Sequence, residues 1–209
     1  MRLFTRTVHL AGPALEVAAY ASEMRSYVSE KTGIEVSLWN VQFGAPLGTM
    51  VYSARVDGLA QLATINETLL ADGKYHEMLG KGADLVAGPT EDALGEPLHG
   101  GTGDAPPVGT VITATRAVIA GGKYAEAIAW GIDIAIHGEK VTGYPVSFFM
   151  DSFGTFGAVS WVGGAPDAAT ADASTAALNA DESYVEKLGV VGDLFVPASG
   201  LRQLATRIA

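Results

Sequence analysis

The sequence predicts an α+β fold in which two βαββαβ repeats pack their antiparallel sheets into one barrel. Three observations predict it. Residues 71 to 85, ADGKYHEMLGKGADL, share eight of fifteen positions with residues 180 to 194, ADESYVEKLGVVGDL. Residues 5 to 33 and 115 to 143 have equal length, begin with Thr-Arg and end with Thr-Gly. The matched segments follow one another in the same order along nearly the whole chain, as in a two-fold duplication.

The first strand and the first helix of each repeat follow from local patterns. TRTVHL is rich in β-branched residues and stops at Gly-Pro, which predicts a strand. Residues 14 to 31 carry Val17, Ala21, Met24 and Val28 at helical spacing, and the second copy carries Ala125, Ile128, Ile132 and Ile136. The following glycines, Gly33 and Gly143, are expected to end these helices.

The later elements are also predicted in pairs. IEVSLWNVQF and TMVYSARV are strands joined by the hairpin-like loop GAPLG. Asp57 is expected to cap a second helix, while Asp72 and Asp181 are expected to cap the short helices that follow. Asp84-Leu-Val-Ala and Asp193-Leu-Phe-Val are predicted as the last strands.

Each copy is therefore a split βαβ unit of the ferredoxin-like type, with both helices on one sheet face. The opposite, apolar face needs a cover, and a second sheet provides it by closing a barrel. We predict a first repeat over residues 1–98, a Gly/Pro-rich linker over 99–109 and a second repeat over 110–209.

Composition narrows the function classes. Hydrophobic residues make up 48% and charged residues 17% of 209 residues, which favours a packed core. The chain has no cysteine, so disulfides and thiolate metal sites are excluded. A net charge of −10 argues against a nucleic-acid partner. No run is long enough to span a membrane, and the N-terminus has no signal-peptide core, so we expect a cytoplasmic protein.

The Thr-Gly-strand-hairpin-strand units (32 to 55 and 142 to 163) and the segments LLADGKYHEMLGKGADLVAGP and LNADESYVEKLGVVGDLFVP resemble the dimeric α+β barrel superfamily. Antibiotic-biosynthesis-monooxygenase-like and NIPSNAP-like domains are the nearest resemblance. Members usually form the barrel as homodimers, whereas tandem copies would form it within one chain, which is still compatible with a homo-oligomer. The resemblance implies a pocket for a small, mostly apolar molecule and does not choose among oxygenases, isomerases, haem proteins and non-catalytic domains.

Polar candidates come from comparing the two copies. Arg6 and Arg116 are kept in both, and an arginine within a strand can hold an anionic ligand or form a structural ion pair. Asn40 faces Met150 in the alignment and can stabilise an enolate, or simply turn into the hairpin. Asp151, which replaces Val41, can act as a general base if burial raises its pKa, or cap the next turn.

Aromatic residues that differ between copies are candidate pocket walls, with core packing as the alternative. They are Trp39 against Phe149 and Tyr52 against Trp161. His9, on the first strand, is a candidate acid–base group. No two of the four histidines share metal-ligand spacing, so we expect no metal and no cofactor.

The expected function is binding of a small hydrophobic molecule, aromatic or polyketide-like, with cofactor-free oxidation, isomerisation or cyclisation as the reaction. The alternatives are a non-catalytic binding or oligomerisation module of the same fold and, third, a haem-binding protein. A cavity of at least roughly 300 Å³ lined by the nominated residues separates the first expectation from the second.

Overall fold

The computed structural model describes all 209 residues and shows two repeats with the same order of elements. The first repeat contains β1 (Arg2–His9), α1 (Ala14–Thr32), β2 (Val36–Phe43), β3 (Thr49–Val56), α2 (Leu59–Leu70), α3 (Gly73–Gly82), a 3-10 turn (Ala83–Leu85) and β4 (Glu91–His99). The second contains β5 (Val111–Val118), α4 (Tyr124–Thr142), β6 (Val146–Phe153), β7 (Ala158–Ala165), α5 (Ala168–Ala180), α6 (Glu182–Gly189) and β8 (Leu201–Arg207).

The eight strands close into one barrel in the order β1-β3-β2-β8-β5-β7-β6-β4, with β4 returning to β1. Each repeat supplies four neighbouring strands, and the repeats join through β2–β8 and β4–β6. All neighbouring strands are antiparallel, so β1 and β5, four places apart, run in the same direction. The pseudo-two-fold axis that relates the repeats therefore runs along the barrel. The predicted fold class is confirmed.

The helices cover the outside of the barrel, and a hydrophobic core lies under each long helix. In the first repeat Val17 and Ala21 of α1 pack on Leu38 and Met50 of the sheet. In the second, Ala127 and Ala135 of α4 pack on Phe148 and Val159. The glycines predicted to end these helices do so, with φ of 72° at Gly33 and 75° at Gly143. No helix is both long and apolar enough to cross a membrane.

Two of the three predicted caps are confirmed. The Asp72 carboxylate accepts hydrogen bonds from the backbone N–H groups of Lys74 and Tyr75, and Asp181 accepts one from Tyr184. The prediction for Asp57 is wrong, because α2 starts one residue later, after Gly58. The backbone N–H of Asp57 instead donates to the Gln61 side chain at 2.7 Å.

The predicted positions of the last strands are also wrong. Asp84 and Leu85 belong to the 3-10 turn, and Val86 makes only an isolated bridge to Leu10, as Phe195 does to Ile119. The true last strands are β4 and β8, several residues further on. The sequence of β4, EDALGEPLH, contains Gly95 and Pro97 and lacks strand-like alternation, and it is held in the sheet by β1 and β6 on its two sides.

The two repeats differ in register by one residue at their first strands. Leu10 and Ile119 donate equivalent hydrogen bonds to Gly48 and Gly157, a spacing of 109 positions, whereas the helix ends Gly33 and Gly143 are 110 apart. The loop between β5 and α4 therefore holds one extra residue. As a result the gapless match of Arg6 with Arg116 is wrong, and Arg116 occupies the place of Thr7.

Candidate functional site

A cavity of about 1140 Å³ fills the inside of the barrel. Strand alternation sends every second side chain inward, and many of these side chains are small. The inward positions of the strands include Thr5, Thr7, Ser37, Ser53, Ala93, Gly95, Ala114, Ser147, Ser160, Gly164 and Ala205. The barrel is hollow because many of its inward residues are Ser, Thr, Ala and Gly. Their side chains are too small to fill the interior, as large apolar side chains would.

Two aromatic rings form the walls of this barrel cavity. Trp39 of β2 and Phe149 of β6 lie at equivalent positions and are each 6% exposed. The Trp39 indole N–H donates to the Ser53 hydroxyl at 2.9 Å, which satisfies its one polar atom. The structure therefore places both of these predicted wall residues inside the barrel.

An ion pair between Arg116 and Asp151 lies on the inner face, near the barrel end at which β1 and β5 finish. The Arg116 Nη2 donates to the Asp151 Oδ2 at 2.7 Å, and the Asp151 side chain is only 9% exposed. Burial raises the pKa of Asp151 above its ordinary value, while the neighbouring Arg116 opposes the shift. The site thus contains one buried acid with a fixed positive partner.

Arg6 lies on the opposite, outer face of the barrel. It makes a two-fold hydrogen-bonded pair with Asp92, at 2.8 and 2.7 Å, and both side chains are more than 40% exposed. Of the two roles predicted for an arginine within a strand, ligand binding and a structural ion pair, Arg6 has the second. The extra residue after β5 is the reason that Arg6 points outward and Arg116 inward.

Three other predicted residues also face the helices and do not line the barrel cavity. Asn40 is half-buried on the outer face of β2, one position from Trp39. The Tyr52 hydroxyl donates to the backbone carbonyl of Ala21 at 3.3 Å, and the Trp161 indole donates to that of Gly131 at 2.8 Å. Tyr52 and Trp161 therefore bind the sheet to the long helices.

His9 lies at the end of β1, beyond the residues that line the cavity. Its Nδ1 is 2.8 Å from the Thr49 hydroxyl, which in turn donates to the carbonyl of Pro46. It is thus part of a polar network at the rim of the barrel, two residues beyond Thr7, which lines the cavity.

The predicted linker closes the barrel end at which β1 and β5 begin. Residues 100 to 108 all line the cavity, and Gly101 lies so close to Phe149 that an added Cβ would be 2.4 Å from the ring. Arg207, 5% exposed, fastens the segment by donating to the carbonyl of Pro106 and to the Glu35 carboxylate. This segment, which composition alone marked as a connector, is a wall of the site.

Arg55 is the inward residue that sequence reasoning missed. It lies on β3 near the linker, and its position in the second repeat is taken by Gly164. Asp151 became a candidate because it differs from Val41 in the other copy. Arg55 differs from Gly164 in the same way, so the same comparison also makes Arg55 a candidate.

A second, smaller cavity of about 170 Å³ lies outside the barrel, between the sheet of the second repeat and helices α4 to α6. Trp130, Trp161 and Tyr184 line it. The first repeat has larger side chains at several equivalent positions, such as Phe4 for Thr113 and Ile65 for Ser174. The helix–sheet cavity is therefore a property of the second repeat.

The chain has no group of three or more His, Asp or Glu side chains that could hold a metal ion.

No protein-family model matches the sequence, and no curated protein matches it. Solved structures do. An anthrone oxidase-like protein aligns with a TM-score of 0.68 and 14% identity over 100% of this chain and 92% of that chain. A candidate monooxygenase from Fusobacterium nucleatum subsp. nucleatum aligns with a TM-score of 0.68 and 10% identity over the same shares.

A mutant chlorite dismutase from Candidatus Nitrospira defluvii aligns with a TM-score of 0.54 and 10% identity, over 98% of this chain and 91% of that chain. Identities this low show a shared fold and leave the chemistry open. The predicted fold is confirmed: the chain has the dimeric α+β barrel fold, with both halves of the barrel supplied by one polypeptide.

Proposed function

We propose that the protein binds a small hydrophobic, ring-containing molecule inside the barrel and that Asp151 exchanges a proton with it there. The observation that carries the proposal is the cavity of about 1140 Å³, which has Trp39 and Phe149 as walls and one buried acid. Ligand sites in proteins are usually concave and apolar with a few convergent polar groups, and their volumes run to roughly 1,000 Å³. The barrel cavity has about this size, and most of its surface is apolar.

The proposed chemistry starts with proton removal by the Asp151 carboxylate. Its raised pKa makes it a stronger base than an exposed aspartate. A C–H beside a ligand carbonyl loses its proton to Asp151, and the negative charge moves to the carbonyl oxygen. The Arg116 guanidinium, already 2.7 Å from Asp151, stabilises that charge.

Three reactions follow from this one intermediate. Return of the proton to another carbon gives isomerisation. Attack of the enolate carbon on a second carbonyl forms a carbon–carbon bond, and the resulting alkoxide takes the proton from Asp151, which gives cyclisation. Oxidation requires dioxygen as the acceptor of the electrons. The anthrone oxidase-like protein with this fold supports an aromatic polyketide-like ligand.

Two rival functions remain testable. A ligand-binding module without catalysis is favoured by the Arg116–Asp151 pair itself, since Arg116 already engages one Asp151 oxygen. A haem protein is the other, and haem added to the purified protein would then produce a Soret band.

The place of binding can be tested with the three tryptophans. Trp39 lies inside the barrel, whereas Trp130 and Trp161 line the helix–sheet cavity. An aromatic probe such as anthrone is expected to quench the fluorescence of the wild type and of Trp161→Phe, but much less that of Trp39→Phe. Quenching that persists in Trp39→Phe and disappears in Trp161→Phe would place the ligand in the helix–sheet cavity and refute the proposal.

Catalysis is tested with Asp151→Asn and anthrone as probe substrate, following anthraquinone by its absorbance. Loss of the base is expected to lower turnover by about 10²- to 10⁴-fold. Asp92→Asn, which removes a carboxylate from the outer face, is the matched control. Equal turnover in Asp151→Asn and the wild type removes the catalytic role. Binding without turnover in the wild type supports the non-catalytic module.

A further inference from the structure

The barrel cavity contains a cation with no partner. Three arginines occupy inward positions of the strands. Arg116 is paired with Asp151, and Arg207 is paired with Glu35 and the Pro106 carbonyl. Arg55 makes no ion pair and no side-chain hydrogen bond, and its Nε is buried without an acceptor.

A buried guanidinium N–H without an acceptor is costly, and native structures usually satisfy such a group. Burial lowers the pKa of Arg55, while Asp104 and Glu35 oppose that shift from a distance. Neither acid is within ion-pair distance of Arg55, and Glu35 is already bound to Arg207 at 2.8 Å. The Arg55 guanidinium therefore lines the cavity without an acidic partner.

The position of Arg55 is asymmetric between the repeats. Its equivalent, Gly164, has no side chain, and the other inward cation at the linker end, Arg207, is paired with Glu35, so the pseudo-symmetric barrel has one unpaired cation at this end. A residue that the fold requires is expected in both halves of the barrel. A single ligand without two-fold symmetry needs only one residue to hold its charged group.

We propose that Arg55 binds the carboxylate of the cavity's ligand, so that the ligand is an aromatic or otherwise apolar carboxylate with its acid group toward the linker. This inference rests on the proposed function. One guanidinium matches one carboxylate in charge and in two-fold hydrogen-bonding geometry. A phosphate dianion would leave one negative charge unbalanced, beside Asp104 and Glu35.

The geometry also sets the length of the ligand. Arg55 is level with Leu3 on β1, and Arg116 occupies the place of Thr7, four residues further along. Four residues of strand span roughly 13 Å. A ligand with two or three fused rings and a carboxylate therefore reaches from Arg55, past Trp39 and Phe149, to the Arg116–Asp151 pair.

The test compares an acid with its neutral isostere. Binding of 2-naphthoate and of 2-naphthamide is measured by calorimetry, and Trp39 quenching confirms that each probe is in the barrel. The wild type is expected to bind the carboxylate at least about 10-fold more tightly than the amide. Arg55→Met is expected to reduce this preference to about two-fold or less, with the affinity for the amide nearly unchanged.

Arg202→Met is the matched control, because Arg202 is exposed, lies outside the barrel and makes no ion pair. It should keep the preference of the wild type. If the preference persists in Arg55→Met, or is lost in Arg202→Met instead, the anchor role of Arg55 is refuted. If the amide binds in the barrel and the carboxylate binds no more tightly, this inference fails while the proposed function stands. If neither probe quenches Trp39, both fail.

Discussion

At the scale of single residues, the two ion pairs formed by the arginines of the Thr-Arg motifs have different physical roles. Arg6 and Asp92 lie on the outer face and are each more than 40% exposed, so solvent screens their attraction. Asp151 is only 9% exposed, so its charge depends on Arg116. We therefore expect the inner pair to matter more for stability and to respond to pH.

Arg116→Met should destabilise the fold by about 1–3 kcal/mol near pH 7, less than for a fully buried pair because Arg116 is one-third exposed. The raised pKa of Asp151 means that the folded state holds this proton more tightly than the unfolded chain. Stability therefore falls as pH rises from the ordinary value of 3.8 through the folded-state pKa. Without Arg116 that pKa rises further, so the deficit should grow with pH, as measured by urea unfolding from pH 4 to 8.

The control for this prediction is Arg6→Met, which should cost less than about 1 kcal/mol. The double variant Arg116→Met/Asp151→Asn should recover most of the loss at pH 7, because no unpaired acid remains in the barrel. A deficit in Arg116→Met that is the same at pH 4 and pH 8 would show that Asp151 is not the group responsible.

At the scale of elements, the segment between the repeats is a structural wall of the cavity. Its backbone passes over Phe149 at Gly101, where φ is +73° and an added Cβ would be 2.4 Å from the ring. Arg207 holds it from the other side through Pro106. Glycine is required at Gly101 both by the positive φ and by the close approach.

Gly101→Ala should therefore lift the segment from Phe149 and reduce stability by about 1–2 kcal/mol. Faster hydrogen exchange of the amides of Gly109 and Thr110, which donate to the carbonyls of Arg207 and Pro107, is the measurement. Gly103→Ala is the control, since Gly103 has no positive φ and no atom within 4 Å of an added Cβ. Equal exchange in the two variants would contradict the contact with Phe149.

At the scale of the whole molecule, each repeat is half of a closed barrel. The β2–β8 and β4–β6 ladders join the halves, and the covalent connection is one exposed segment. A separated half would expose the two strand edges and its inner face to water. The halves should therefore stay together without the covalent connection.

A protease site inserted between Gly103 and Asp104 tests this expectation. After cleavage, the two fragments should elute together on size exclusion in native buffer and separate only in denaturant. The uncleaved protein with the same insertion is the control. Separate elution in native buffer would show that the connection, rather than the strand ladders, holds the barrel closed.

Much of the fold could be predicted because it depends on local patterns. Helical spacing in α1 and α4, the glycines that end them, and the caps Asp72 and Asp181 act over a few residues. The duplication then indicated the barrel, because each sheet has an apolar face that needs a cover. The caps and glycines were predicted without any long-range contact.

The last strands could not be predicted in the same way. β4 has little strand propensity of its own and pairs because β1 and β6 offer it hydrogen-bonding edges on both sides. The site was predicted only in part, because the sequence does not show which face of each strand points into the barrel. Trp39, Phe149, Asp151 and Arg116 line the barrel, whereas Asn40, Tyr52, Trp161, Arg6 and His9 do not.

The sequence by itself determined the repeat, the element types and the need for a barrel, because periodicity and capping act within a few residues. Only the tertiary structure decided which strand face is the inside. One extra residue after β5 shifts a strand by one position, and a shift of one position exchanges the two faces of the strand. That shift places Arg116 inside and Arg6 outside, although both stand in the same Thr-Arg motif.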